Sequence, residues 1–110
     1  MALRRTELLQ GTLDMLILRV VALEPVHGWA IAQRIEQVSG DVLQVNQGSL
    51  YPSLHRLERE GWITSKWGVT GDGRNAKFYS LTRTGRSRLA METETWASLS
   101  EAVNRVLGHA

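Results

Sequence analysis

The sequence predicts a mainly α fold with one small β-hairpin, ending in a helix too long for the compact part of the molecule to cover. Three observations carry this reading. Three apolar-periodic segments are separated by breaks at Pro25 to Gly28, Ser39 to Asp41 and Gly61. Two alternating stretches flank a turn-rich loop from Gly68 to Asn75. Beyond them, Leu89, Trp96 and Val103 recur every seven positions, with Leu99 and Val106 on a companion row that Glu92 interrupts. A chain of 110 residues has room for one hydrophobic core and not for two, so a single compact unit is expected.

The first helix is expected over Leu13 to Leu23, capped by Thr12 or beginning as early as Thr6, and stopped by Pro25. Leu13, Leu16, Ile17, Val20 and Leu23 form one face, while Met15, Leu18 and Val21 carry apolar groups onto much of the remainder. Burial against both the chain's own core and a second chain would explain so apolar a helix. A second helix follows over Trp29 to Val38, with Ile31, Ile35 and Val38 on one face, Ala32 permitting close approach and His27 as a turn or cap residue. After a short extended piece at Leu43 and Val45, Asn46 or Ser49 can cap a third helix. Pro52 pins its start to about Gln47 to Ser49, because proline is tolerated only near the first turn. Leu50, Leu54 and Leu57 face inward and Gly61 ends the helix. WITSKW and Ala76 to Leu81 are the two hairpin strands, with Arg74 in the loop. Thr82 then caps a last helix running to about Leu107. Residues 1–82 are read as the binding domain and residues 83–110 as a dimerisation helix packed with the first helix, since a second copy is the simplest cover for the final stripe.

Charge and composition narrow the function classes. The net charge is only +2, from 13 basic and 11 acidic residues, and says little about nucleic acid. Its distribution says more: Arg56, Arg59, Lys66, Arg74, Lys77, Arg83, Arg86 and Arg88 all fall within the third helix, the hairpin and the start of the last helix. The absence of cysteine excludes disulfides and thiolate metal sites. His27, His55 and His109 are far apart, and no phosphate-cradling loop, nucleophile elbow or metal-ligand spacing appears, so neither an enzyme nor a metal or cofactor is expected. The apolar run Met15 to Leu18 is broken by Arg19, well short of a membrane span, and Met1 to Gln10 lacks the features of a secretory leader. A cytoplasmic protein with no membrane partner is expected.

Three helices followed by a hairpin is the layout of a winged helix-turn-helix. In that layout a helix lies in the DNA major groove, where side chains reach base edges, and the hairpin, or wing, approaches the neighbouring backbone. The DNA-contacting candidates are Gln47, Ser49, Tyr51, Ser53 and Arg56 on the third helix, with Arg74 and Lys77 on the wing. An ordinary solvated helix face and a solvated hairpin are the competing readings of the same residues. The dimer-interface candidates are Leu13, Leu16, Ile17 and Val20 with Leu89, Trp96, Leu99, Val103 and Val106.

The segments LLQGTLDMLIL, HGWAIAQRI, GSLYPSLHRLEREGWI and KFYSLTRTG resemble the PadR family of bacterial transcriptional regulators, in its short form with a single C-terminal helix. The resemblance spans Leu8 to Leu107. It implies a homodimer built from the first and last helices, with the third helix in the major groove and the wing near the DNA backbone; the leading functional reading is a repressor that binds double-stranded DNA at a palindromic operator. By position it places Tyr51 on the family's recognition-helix tyrosine, and Lys77 and Tyr79 on the wing's basic and aromatic positions. Trp29 stands where the family pattern usually has tyrosine. Some short relatives bind flat aromatic ligands at the dimer centre, which makes Trp96 a candidate effector contact; plain interface packing is the competing role. A protein-interaction adaptor on the same scaffold, without direct DNA readout, is the alternative function, and the modest net charge is its best support.

Overall fold

The computed structural model describes Thr6, Glu7 and residues 9–108. Along the chain lie β1 (Thr6–Glu7), α1 (Gln10–Leu23), β2 (Val26–His27), α2 (Gly28–Val38), β3 (Leu43–Gln44), α3 (Gln47–Arg59), β4 (Ile63–Val69), β5 (Asn75–Leu81) and α4 (Arg83–Leu107). The fold is mainly helical, with a small sheet and a long final helix, as the sequence predicts. The sheet has three strands rather than two, in the order β2-β5-β4, because Val26 and His27 pair antiparallel with Tyr79 and Phe78. A second, two-stranded parallel pairing joins Thr6 to Leu43 and Glu7 to Gln44.

Local chemistry sets most element boundaries. Helix α1 begins at Gln10 with Leu9 at the N-cap and no side-chain cap. Neither Thr12 nor Thr6 therefore starts it: Thr12 is already inside the helix, and Thr6 is held extended by its pairing with β3. Glu24 leaves the helix in an extended conformation, as a residue preceding proline is expected to. His27 caps α2 through Nδ1, which accepts from the Ala30 N–H at 3.4 Å. Asn46 caps α3, its Oδ1 accepting from the Gly48 N–H at 2.6 Å. Pro52 falls at the sixth helical position, a turn deeper than expected. The carbonyl it deprives of a partner is that of Gly48, which lies exposed at the helix start where water can serve it.

The core is contributed by every helix that supports α3. Leu13, Ile17, Leu18 and Val21 from α1 meet Ile31 and Ile35 from α2, Leu50, Leu54 and Leu57 from α3, and Ile63 and Tyr79 from the sheet. This placement corrects two interface candidates. Leu13 and Ile17 are 1% and 0% exposed, so they serve the chain's own core and are closed to a second chain. Leu16 and Val20, on the neighbouring row, are only partly buried and pack at the core's margin.

Helix α4 is fixed at one end and uncovered at the other. Thr82 Oγ1 accepts from the Gly85 N–H at 3.0 Å and donates to the Gly61 carbonyl at 2.6 Å, while Thr84 Oγ1 donates to the same carbonyl at 2.9 Å. Gly85 is the one buried residue of α4, lying against the Trp62 carbonyl. Arg88 lies over the Trp62 ring, 4.7 Å from its centroid, and pairs with Glu92 at 2.5 Å. At 25 residues the helix is about 37 Å long. Trp96, Leu99, Val103 and Val106, spaced three and four apart, share one face and are all exposed. Gly108 closes the helix with φ +84°.

Candidate nucleic-acid interface

The outward face of α3 follows from its helical period. With Leu50, Leu54 and Leu57 fully buried, the row Gln47, Tyr51, His55 and Arg59, spaced four apart, faces away from the core and is exposed. Ser49 is exposed beside it at the N-terminal end. Tyr51 is positioned by α2: its ring and hydroxyl lie against Gly28, where an added Cβ would stand 3.0 Å from Cε1 and 3.3 Å from the hydroxyl oxygen. A side chain at position 28 would require the tyrosine ring to give way by a few tenths of an ångström.

The wing supplies the second wall. Strands β4 and β5 pair from Ile63 with Leu81 to Val69 with Asn75, which sets Trp67 opposite Lys77 and puts Lys77 Nζ 5.8 Å from the indole centroid. The tip is closed by the Thr70 N–H donating to the Arg74 carbonyl at 2.8 Å and the Gly73 N–H donating to the Thr70 carbonyl at 2.9 Å, with Gly73 at φ +85°. Thr70 also donates to Asp72, and that bond holds the Asp72 carboxyl below its usual range. Asp72 stays ionised and lies 3.5 Å from Arg74, in an exposed pair that is easily exchanged for another anion.

Between these walls runs a cleft of roughly 890 Å³, lined by Tyr51 and His55 from α3, His27 and Trp29 at the start of α2, and Trp67, Arg74, Lys77 and Tyr79 from the wing. His27 stacks parallel to Trp29 with centroids 6.4 Å apart and meets the Phe78 ring edge-on at 5.5 Å. Burial raises the Tyr79 hydroxyl above its ordinary value, and the charges of Glu58 and Tyr51 add to that. The surface can therefore offer hydrogen-bonding groups from α3 and cations from the wing to one extended anionic ligand.

Of the sequence candidates, Tyr51, Arg74 and Lys77 meet in this cleft, and Gln47 and Ser49 are exposed at the neighbouring end of α3. Ser53 does not belong to the surface: it is 1% exposed, on the side of α3 turned toward the core. Arg56 also turns inward, its Nη2 lying 2.5 Å from an Asp14 carboxylate oxygen on α1. The cleft adds Trp29, His55 and Trp67, which the candidate set lacks. His55 was within reach of the sequence, since it continues the spacing of four from Gln47 and Tyr51. The exposure of Trp67 depends on which face of the hairpin packs on α1, which alternation alone does not specify.

The model of the transcriptional regulator PadR-like family matches residues 17–91, from α1 through the wing into α4. The chain belongs to the PadR family of transcriptional regulators. Transcriptional regulator Rv3488 of Mycobacterium tuberculosis is 39% identical over 92 residues, spanning 84% of this chain and 79% of that protein. The crystal structure of the PadR-like transcriptional regulator BC4206 from Bacillus cereus superposes with a TM-score of 0.76 at 28% identity, over 89% of this chain and 93% of that one. That of smu.1704 from Streptococcus mutans does so with a TM-score of 0.82 at 25% identity, over 96% and 95%. PadR regulators act by binding DNA and by dimerising, and they are not enzymes. Among the described residues, no helix is long and apolar enough to cross a membrane and no cluster of side chains is arranged to hold a metal ion.

Proposed function

We propose that two copies of this chain, joined through α4 and α1, bind a palindromic operator and repress transcription by occupying it. The observation that carries this reading is the convergence of Tyr51 and His55, from the outward α3 row, with the wing cations on one cleft. Gln47, Ser49 and Tyr51 lead into the major groove, while Arg74 and Lys77 meet phosphates. The uncovered face of Trp96, Leu99, Val103 and Val106 supports the dimer, with Leu16, Val20 and Leu89 completing the contact where α1 and α4 approach. On this reading residues 1–82 bind DNA and residues 83–110 join the copies.

The test is the salt dependence of binding. Affinity for a duplex selected from a random pool falls steeply with salt in the wild type, and Lys77→Ala lowers the slope of log K against log salt by about 0.9, the loss of one phosphate contact. A salt-independent complex would undermine the assignment and favour an adaptor role. Trp96, at the middle of the α4 face, gives a flat aromatic effector a ring to stack on between two copies. A planar dye is expected to alter both Trp fluorescence and DNA affinity, and Trp96→Ala to remove both effects. No change in either signal with the wild-type chain would count against an effector site there.

A further inference from the structure

Arg56 stands on the helix that faces DNA, yet its guanidinium is turned the other way. Nη2 donates to both carboxylate oxygens of Asp14, at 2.6 and 2.5 Å, and lies 3.5 Å from Ser53 Oγ. The Gln10 amide fits this cluster with its oxygen toward Arg56, accepting from Nη1 at 2.7 Å and Nη2 at 3.2 Å. The ion pair joins residues 42 positions apart, with its side chains only 27% and 20% exposed. It is therefore screened much less than a surface pair.

We propose that Asp14 is a positioning residue for DNA recognition: by holding Arg56, its carboxylate fixes the angle at which α3 presents Gln47, Ser49 and Tyr51. The inference rests on the reading above, in which α3 meets DNA. Apolar burial of Leu50, Leu54 and Leu57 holds α3 on the core but has little directional preference. A charge-assisted hydrogen bond is directional and supplies the register that burial does not. The lever is long. Arg56 and Gln47 are nine residues apart on α3, about 13 Å along the axis, so a tilt of about 5° about the Arg56 end moves Gln47 by about 1 Å. Hydrogen bonds to base edges do not survive a displacement of that size.

The sign of the effect separates this role from simple electrostatics. Asp14 carries a negative charge close to a surface that meets a polyanion, so charge alone predicts tighter binding when it is removed. Positioning predicts the reverse. The experiment measures binding of the full chain to a duplex selected from a random pool and to a scrambled duplex, for wild type, Asp14→Asn, Arg56→Ala and the double variant. Asp14→Asn is expected to weaken the selected duplex by about tenfold, the scale of one lost charge-assisted bond. It leaves the scrambled duplex unchanged or slightly tighter. Arg56→Ala does the same without changing the salt slope, and the double variant is no worse than the worse single. Asp14→Glu, which keeps the charge, restores most of the discrimination, and thermal melts confirm that each variant is folded at the assay temperature. Tighter binding of both duplexes by Asp14→Asn, unchanged discrimination in a folded variant, or a slope about 0.9 lower in Arg56→Ala, which would place Arg56 on a phosphate, overturns the proposal. A wild-type chain that fails to discriminate the two duplexes would instead overturn the α3 reading on which it rests.

Discussion

Replacing Gly85 with alanine sets two physical effects against each other, and the structure decides between them. By helix propensity alone the change stabilises α4 by about 1 kcal/mol, because glycine is the costlier residue in a helix. The new Cβ, however, would stand 2.0 Å from the Trp62 carbonyl oxygen and 2.7 Å from Leu81 Cδ1. Relieving the first contact requires a separation of more than about 1 Å beyond the present one, since nonbonded carbon and oxygen normally stay beyond about 3.2 Å. The groups that would have to move are tied together by the Thr82 N–H to the Trp62 carbonyl at 3.1 Å and by the Thr82 and Thr84 hydroxyls to the Gly61 carbonyl. Losing two or three such bonds at about 1 kcal/mol each, together with an overpacking cost of about 1–3 kcal/mol, outweighs the propensity gain. The net is a destabilisation of about 2–5 kcal/mol, or roughly 10–25 °C in the melting midpoint of a domain this size. Circular dichroism melts at matched chain concentration measure it. A midpoint equal to or above that of the wild type would refute the account of how α4 is fixed to the wing.

Two further outcomes follow from the same geometry. The folded-state value of Tyr79 is raised, so the neutral phenol is favoured by folding; the stability it contributes is full below about pH 10 and is lost as pH rises through the raised value. Urea midpoints should therefore fall as pH rises above about 10, and Tyr79→Phe should flatten that fall; an identical decline in the variant would assign it to other groups. On α4, Leu99→Glu places a charge in the stripe that a second chain is proposed to cover, and sedimentation should show the dimer giving way to monomer. An exposed leucine with no partner would instead tolerate the change within about 0.5 kcal/mol, with no change in mass.

Much of the fold was legible because local rules and tertiary structure agree. Asn46 and Thr82 cap the helices they were expected to cap or were offered for, and the hairpin lies where alternation and glycine placed it. What was not legible depends on partners distant in sequence. Strands of two residues such as β2 and β3 carry no period of their own and exist only through β5 and β1. On α1, apolar residues nearly encircle the helix, so the pattern could not say that Leu13 and Ile17 face the core while Leu16 and Val20 lie at its margin. On α3 the period located the centre of the buried stripe at Leu50, Leu54 and Leu57 but not its width. Ser53 and Arg56 fall on its edge, and what draws Arg56 inward is Asp14, a carboxylate on a helix that the α3 pattern does not describe.

The most direct test of the central claim is selection of bound duplexes from a random DNA pool, followed by the mass of the complex on the winning sequence. The proposed dimer requires two chains per duplex and two half-sites related by twofold symmetry, their centres one helical turn of DNA apart, about 34 Å, or a multiple of it. Enrichment of no sequence, or of a single asymmetric site holding one chain, would contradict it.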